Sequence, residues 1–353
     1  MLKGHGGNIY QAAREAGVSP EDLVDLSGNI NPLGPPEELF AYLKDRLSLI
    51  TRLPEPDLTS LRQAVARRLE ISPDMVFPAP GTTDWIYLLP AILRAEEVII
   101  FGPTYADYAD AATIWGKKAF YLLPDSPRNW PNLNLPPKGG PRVYFLCNPN
   151  NPTGGLLSRD KVLDLAQRLT GDILVIDESY LPFAASDEAS LAWGGLPGNV
   201  LVLRSFSKIY AIPGLRLGCL LAPESLFPLV APHLRPWWVG TLAAEAGVFL
   251  LNQRGFEEQT RNYLKAERER IYQRLKGLPG LEFFTSVTTF ILCRLKAPRA
   301  SELCRRLLKR GFLLRPCGNF VGLDDHYFRF SLKDPETNNR FLQVLTQELV
   351  DMA

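Results

Sequence analysis

The fold is decided by residues 173–208, which open with ILVIDESY (Ile173–Tyr180) and close with VLVLRSFSK (Val200–Lys208). Both stretches begin with a continuous run of apolar residues rather than an alternation of apolar and polar ones. Continuous runs are typical of strands buried on both faces, which occur in parallel sheets covered by helices. Each run leads into polar side chains, so we expect Asp177 and Lys208 beyond the carboxyl ends of two strands, where open α/β sheets bind ligands.

Further apolar runs and amphipathic stretches extend this pattern along the chain. The predicted strands are Val98–Phe101, Ala119–Leu123 and Val143–Cys147, and the predicted crossover helices are Tyr105–Trp115 and Ser158–Leu169, with Ser158 as a candidate N-cap. Strands that alternate with helices predict an α/β fold with a mainly parallel sheet covered by helices.

A charged helix and a smaller α/β unit are predicted in the C-terminal part. Residues Glu257 to Lys276 have helical spacing, with Glu257 and Arg261 as an i,i+4 pair, and we expect a solvated helix face. The later predicted elements are strand Thr289–Leu295, helix Arg299–Arg310, strand Phe328–Leu332 and helix Glu336–Asp351. We therefore predict a large domain at 46–275 and a small C-terminal domain at 276–353, to which the N-terminal segment 1–45 contributes.

The composition is that of an ordinary globular protein and excludes several classes. The 353 residues include 39 Lys+Arg and 38 Asp+Glu, a net charge of +1, which lacks the basic excess of a nucleic-acid binder. Five cysteines without a C-x-x-C pair favour neither a disulfide framework nor a metal site. No apolar run approaches the ~18 residues of a membrane helix, and the first residues lack a signal-peptide core. We expect a cytoplasmic protein that binds neither nucleic acid nor membrane.

The lysine motif after the run Val200–Leu203 could carry chemistry. A lysine desolvated in a crevice has a lowered pKa, and its neutral amine can then form an imine. Ser205, Ser207 and Arg216, eight residues after Lys208, could hold a phosphate. Taken alone, the motif rather favours an exposed loop lysine beside a capping serine.

Three other polar motifs also follow predicted strands or begin a predicted helix. Asp177 could bind a cationic group. Alternatively, it could hold magnesium, as the acidic end of a strand does in nucleotide hydrolases, but that function requires a G-x-x-x-x-G-K-[ST] loop, which the chain lacks. The stretch Asn148–Gly155 is a turn that could present an asparagine to a ligand. Gly81-Thr82-Thr83 begins an amphipathic stretch and is either an anion site at a helix N-terminus or a simple cap.

The order and spacing of these motifs resemble the aspartate-aminotransferase superfamily of pyridoxal 5'-phosphate enzymes, which have fold type I. The resemblance implies that Lys208 forms the Schiff base with the cofactor and that Asp177 pairs with its pyridinium nitrogen. It also implies that Tyr180 and Asn151 bond the phenolic oxygen of the ring and that Tyr105 stacks on the ring. Lys208, Asp177 and Tyr180 would then be the catalytic residues. The residues implied to bind the cofactor phosphate are Gly81, Thr82, Thr83, Ser205, Ser207 and Arg216.

The two ends of the chain resemble one subfamily. HGGN (His5–Asn8), LSGNINPLG (Leu26–Gly34) and CGNFVGLD (Cys317–Asp324) are similar to segments of the L-threonine O-3-phosphate decarboxylases of cobalamin biosynthesis. That resemblance implies release of carbon dioxide and (R)-1-aminopropan-2-yl phosphate from a phosphorylated amino acid. The implied substrate-binding residues are His5, Gly6, Asn29, Asn151, Arg315 and Arg329. Histidinol-phosphate aminotransferase is the first alternative, and a non-catalytic α/β binding protein is the second.

The resemblance also implies a homodimer with active sites at the interface. In the superfamily a tyrosine commonly reaches across the dimer to the cofactor phosphate of the neighbouring subunit. This chain has Leu53 there, in RLPEPD (Arg52–Asp57), and leucine cannot donate that hydrogen bond. Trp237 and Trp238 could form a wall of the pocket or belong to the core, and we favour the core.

Overall fold

A computed structural model describes residues 6–137, 139–297 and 299–352. Within these ranges the strands are β1 Val24–Asp25, β2 Val76–Ala79, β3 Glu97–Phe101, β4 Lys118–Leu122, β5 Arg142–Cys147, β6 Ile173–Asp177, β7 Val200–Ser205, β8 Gly218–Leu221, β9 Leu281–Phe283, β10 Phe290–Leu295, β11 Phe312–Leu313, β12 Arg315–Pro316 and β13 Tyr327–Ser331. The α-helices are α1 Ile9–Ala16, α2 Glu37–Asp45, α3 Thr59–Leu69, α4 Thr83–Ile92, α5 Asp107–Ile114, α6 Arg159–Arg168, α7 Phe206–Ile209, α8 Phe227–Val230, α9 Thr241–Asn252, α10 Phe256–Leu275, α11 Ala300–Lys309 and α12 Pro335–Asp351.

A seven-stranded sheet with the order β2-β8-β7-β6-β5-β3-β4 forms the larger part of the molecule. Only β8 runs antiparallel to its neighbours, and the continuous apolar runs form the parallel strands, so the predicted sheet is confirmed. The strands β2 and β8 were not predicted from the sequence. Asp177 is the register partner of both Cys147 and Leu203. The segments that follow β5, β6 and β7 therefore leave the same edge of the sheet.

A second sheet with the order β12-β13-β10-β9 is antiparallel and is built from the C-terminal part of the chain. All four elements predicted there, two strands and two helices, are present as β10, α11, β13 and α12. Register pairing places Arg315 of β12 directly opposite Arg329 of β13. Side chains opposite each other in an antiparallel pair lie on the same face of the sheet. The domain boundaries stay a prediction.

The N-terminal segment connects this second sheet to α7, the short helix that carries Lys208. β1 pairs in parallel with β11, and the Leu26 carbonyl then accepts a 2.8 Å hydrogen bond from the Ser331 amide. Five residues later, the Asn31 amide donates to the Lys208 carbonyl at 3.1 Å. Residues 24–31 therefore lie between the C-terminal sheet and α7, the helix that directly follows β7.

The helix α10 is less solvated than its charge pattern indicated. Glu257 is 8 % exposed; its carboxylate binds Arg68 and accepts a 2.7 Å hydrogen bond from the Tyr210 hydroxyl. Arg261 instead donates to the carbonyls of Pro182 and Ala185. The predicted helix with a solvated face is present, since Glu258, Asn262 and Glu269 are exposed. The predicted Glu257–Arg261 pair is not formed, because Arg68 of α3 and Tyr210, which follows α7, cover the side of the helix that carries Glu257.

The predictions for the two tryptophans and for the Ser158 cap are each confirmed only in part. Trp238 packs edge-on against the buried Trp85, with ring centroids 5.4 Å apart, but Trp237 is 48 % exposed, so its assignment to the core was wrong. Ser158 occupies the N-cap of α6 as predicted, without a capping bond from its hydroxyl. Within the described ranges, no helix is both long and apolar enough to cross a bilayer.

Candidate active site

One cavity opens between the carboxyl edge of β5–β7, the segment 27–29 and the strands β12 and β13. It is lined by every site residue that the sequence predicts, apart from His5, which lies outside the described residues: Gly6, Asn29, Gly81, Thr82, Thr83, Tyr105, Asn151, Asp177, Tyr180, Ser205, Ser207, Lys208, Arg216, Arg315 and Arg329. Residues as far apart in the chain as Gly6 and Arg329 therefore share one space.

One end of the cavity is a cradle of backbone amides at the N-terminus of α4. Gly81 has a φ of +86°, and a Cβ there would lie 2.9 Å from the Arg216 guanidinium. A Cβ on Gly218 would lie 3.0 Å from the Thr82 backbone nitrogen. Glycine at these two positions lets the backbone and an arginine approach one another closely. A helix N-terminus with an arginine beside it binds anions such as phosphate.

Lys208 lies in α7, directly beyond the end of β7, and its side chain is partly accessible from the cavity. Burial, together with the positive charges of Arg216 and Arg329, lowers the pKa of the Lys208 amine to about 8. A large share of the amine is therefore neutral and nucleophilic near pH 8. The desolvated lysine inferred from the sequence is thus supported, rather than the exposed loop lysine.

Asp177 ends β6 and is 5 % exposed. One carboxylate oxygen accepts a 2.9 Å hydrogen bond from the Ser179 amide, and the other accepts a 2.8 Å hydrogen bond from the Tyr108 hydroxyl. Burial raises the pKa of the Asp177 carboxyl, although these donors and the Lys208 amine oppose the rise. A buried carboxylate that faces a cavity is suited to hold a cationic N–H group.

Tyr180 follows β6 by three residues and is held in place by two contacts. Its hydroxyl accepts a 2.8 Å hydrogen bond from the Asn29 side-chain amide, and its ring packs edge-on against Phe290 at 5.2 Å. Burial raises the pKa of the Tyr180 phenol, so the hydroxyl remains protonated at neutral pH. Tyr105 lies at the cavity surface, edge-on to Tyr108 at 5.8 Å.

Two arginines lie side by side in the lining of the same cavity. Arg329 is 3 % exposed. Its guanidinium donates hydrogen bonds to the Asn151 side-chain oxygen and, at 2.7 Å, to the Ser27 carbonyl. Its buried Nε has no hydrogen-bond partner within the described structure. Arg315 is 8 % exposed and donates to Asn319 at 2.8 Å. Within the described ranges, no carboxylate forms a salt bridge with either arginine. Two buried, adjacent cations with no carboxylate at salt-bridge distance are suited to an anionic ligand, although the more distant charge of Asp25 also acts on Arg329.

Several lining residues were not predicted from the sequence. Ser27 accepts the Gly7 amide at 2.7 Å and so ties the start of the chain to the cavity rim. Phe320 lies 5.2 Å beneath the Arg315 guanidinium. Tyr108 was placed in a crossover helix without a role. Ser27 belongs to the LSGNINPLG segment, and Asn319 and Phe320 belong to CGNFVGLD, so the pattern of these two segments could have singled them out. Tyr108 carries no such signal, because its role depends on Asp177, which is distant in the chain.

Comparison with known proteins gives one family and a consistent set of relatives. Residues 21–345 match the model of the family "Aminotransferase class I and II". The chain is 33 % identical to threonine-phosphate decarboxylase of Salmonella typhimurium, over 99 % of this chain and 97 % of that protein. It is 30 % identical to histidinol-phosphate aminotransferase of Methanocaldococcus jannaschii, over 97 % and 93 % of the two chains.

A solved structure resembles the fold closely. The crystal structure of L-threonine-O-3-phosphate decarboxylase from Porphyromonas gingivalis superposes with a TM-score of 0.83 at 30 % identity, covering 92 % of this chain and 98 % of that one. The fold class predicted from the motifs is therefore confirmed. The family match spans most of the chain, from the segment before β1 to α12. The chain belongs to the class I and II aminotransferase family.

Proposed function

We propose that the protein decarboxylates L-threonine O-3-phosphate to (R)-1-aminopropan-2-yl phosphate and carbon dioxide, a reaction of cobalamin biosynthesis. The observation that carries this proposal is the pair Arg315 and Arg329, which face the same cavity as Lys208 without an acidic partner in the described structure. A phosphorylated amino acid has two anionic groups, a carboxylate and a phosphate, and each can take one guanidinium. The 33 % identity to a threonine-phosphate decarboxylase, over nearly the whole chain, supports the same reaction.

The cofactor is pyridoxal 5'-phosphate, in keeping with the family. When bound, it withdraws electrons from the bonds at the α-carbon of the attached amino acid. The site fits this group: the amide cradle at Gly81 is too close to Arg216 for a side chain, and a buried carboxylate stands at Asp177. Lys208 lines the same cavity and has the lowered pKa that imine formation needs.

We assign the roles of the chain's own residues as follows. The α4 N-terminus at Gly81, Thr82 and Thr83, with Ser205, Ser207 and Arg216, holds the cofactor phosphate. Lys208 binds the aldehyde carbon, Asp177 keeps the ring nitrogen protonated, Tyr180 and Asn151 bond the phenolic oxygen, and Tyr105 stacks on the ring. Arg329 and Asn151 bind the substrate carboxylate, and Arg315, with His5, Gly6 and Asn29, completes the anion pocket.

Positioning by the arginines decides which bond of the substrate breaks. The bond at the α-carbon that lies perpendicular to the ring breaks most easily, because its electrons then overlap the ring π system. A decarboxylase must hold the carboxylate in that direction, and an aminotransferase must hold the hydrogen there, so identical cofactor contacts serve both reactions. Lys208 Nζ would be the group placed to return a proton to the α-carbon once carbon dioxide has been released, since it lines the cavity and titrates near pH 8.

The proposed reaction can be separated from transamination by one incubation. The protein with its cofactor is given L-threonine O-3-phosphate without any keto acid, and carbon dioxide and the amine product are measured. We expect sustained release of carbon dioxide by the wild-type protein and none by Lys208→Ala. Turnover that requires a keto-acid acceptor would instead establish an aminotransferase, of which the histidinol-phosphate enzymes are the similar case.

We also propose that the protein is a homodimer. Large apolar side chains are exposed on the segment 40–53 and beside it: Phe40 65 %, Leu47 54 %, Ile50 61 %, Leu53 73 % and Trp237 48 %. The Trp237 amide donates to the Pro56 carbonyl at 3.1 Å, so these two parts of the chain are neighbours. Exposed apolar patches of this kind mark interaction sites. Light scattering after gel filtration tests this, with Ile50→Glu expected to yield a monomer.

A further inference from the structure

Tyr108 has a position that the reaction described above does not explain. It lies in α5, is fully buried, and stacks on Phe145 with the two rings 13° from parallel and 4.8 Å apart. Edge contact with Tyr105 at 5.8 Å fixes the ring from another side. Its hydroxyl donates to Asp177 at 2.8 Å, so a rigidly packed ring holds one oxygen of the buried carboxylate.

We propose that Tyr108 is a positioning residue that orients Asp177 and sets how strongly this carboxylate attracts the proton of the cofactor ring. The inference holds for any reaction of this cofactor in the site and does not depend on which substrate is used.

The hydrogen bonds of Asp177 support this assignment. With Ser179 on one oxygen and Tyr108 on the other, the carboxylate cannot rotate without losing a buried bond. Burial raises the pKa of the Tyr108 phenol well above its usual value, so the hydroxyl keeps its proton and donates to Asp177 at every working pH. A donated hydrogen bond stabilises the charged form of a carboxylate and lowers its proton affinity. The proton then stays on the ring nitrogen of the cofactor, and the electron-withdrawing power of the ring depends on that proton.

Other titratable groups around Asp177 are already occupied in the proposed reaction or are too buried to ionise readily. Those that face it are Tyr105, Tyr108, Cys147, Tyr180 and Lys208. Burial raises the pKa of the Cys147 thiol far above neutral, so it contributes no charge near pH 7. Tyr108 is the member of this group that bonds the carboxylate in the structure without a task at the cofactor or substrate.

The experiment is a spectroscopic pH titration of the protein loaded with cofactor, without substrate. The lysine-bound cofactor changes colour when its imine nitrogen loses a proton, and the midpoint pH of that change is measured. In Tyr108→Phe we expect the midpoint to rise by about half a pH unit or more, because Asp177 draws the ring proton closer and the ring becomes less positive. The cofactor dissociation constant should rise about tenfold.

Two further variants keep the test decisive. Tyr144→Phe removes the hydroxyl of another buried tyrosine on β5, one that interacts with Arg142 instead, and should leave the midpoint unchanged. Difluorotyrosine introduced at position 108 keeps the ring and is a stronger donor, so its midpoint should fall below that of the wild type, even if Tyr108→Phe does not fold. Midpoints and dissociation constants equal to those of Tyr144→Phe would overturn the inference. Failure to decarboxylate phosphothreonine would leave these readings untouched, since no substrate is present.

Discussion

Replacing Arg329 with methionine should lower activity strongly while the unloaded protein keeps its stability. Methionine fills a similar elongated space but carries no charge. In the structure the guanidinium is 3 % exposed, lies opposite Arg315, and has no acidic partner within the described residues. Two adjacent buried cations raise the free energy of the protein without a ligand and stabilise it once an anion is bound. Replacing Arg329 should therefore lower activity strongly but change stability little.

The magnitudes follow from the contacts. A carboxylate held by two charged hydrogen bonds gains about 1.5–3 kcal/mol from each, so losing both should reduce kcat/KM by about 10² to 10⁴ at ~1.4 kcal/mol per tenfold. In the protein without ligands, the variant loses the bonds to Asn151 and to the Ser27 carbonyl. It also loses the unpaired Nε and the repulsion from Arg315, which together cost about 1–4 kcal/mol. We expect the free energy of unfolding to change by only about 1 kcal/mol.

The assay combines initial rates with phosphothreonine and urea unfolding of the cofactor-free protein. Arg294→Met is the matched control, since Arg294 lies on β10 next to β13 but pairs with Glu282 at 3.7 Å near the surface. It should change neither quantity appreciably. A loss of more than about 3 kcal/mol of stability, together with a kcat/KM within tenfold of the wild type, would show that Arg329 is structural.

Three other outcomes are expected. Because the pKa of the Lys208 amine is lowered to about 8, the rate at which the cofactor-free protein binds the cofactor should rise with pH up to about 8 and level off above it. Stopped-flow absorbance measures this rate. A flat profile from pH 6 to 8 would contradict the prediction. If a neighbouring subunit lies at the cradle, Leu53→Tyr should slow the release of the cofactor about two- to tenfold. The release is measured by dialysis, with Leu47→Tyr as the control variant. An unchanged rate of release would contradict that dimer geometry. Glu257→Ala should cost about 3 kcal/mol of stability by breaking the buried contacts to Arg68 and Tyr210, measured by urea unfolding, whereas the exposed neighbour Glu258→Ala should cost less than about 0.5 kcal/mol.

Much of the fold and site could be predicted because the residues carry local signals. The apolar runs of β5, β6 and β7 end beside Asn148, Asp177 and Ser205, and adjacent parallel strands bring those ends to one edge. Motif order then identified the polar residues that share the cavity. Short strands such as β2 and β8 were missed, since four residues beside loops give too little periodicity to distinguish them.

The rest depended on contacts that are distant along the chain. The sequence gives Tyr108 the same apolar appearance as any core aromatic, and the direction of its hydroxyl towards Asp177, 69 residues away, is set only by packing. The charges of α10 resembled a solvated face, yet Glu257 meets Arg68, which is 189 residues away. Trp237 looked like core because tryptophan is usually buried, but its backbone φ of 58° and the turn at Pro56 leave it exposed.

The bond between Arg329 and the Ser27 carbonyl joins residues 302 positions apart, and the Leu26–Ser331 bond closes a loop of similar size. During synthesis, a ribosome that has released only the first three hundred residues has not yet supplied either half of the arginine pair. The pocket can therefore bind a substrate only after residues 315–331 have been translated, and chains terminated before them would lack both arginines.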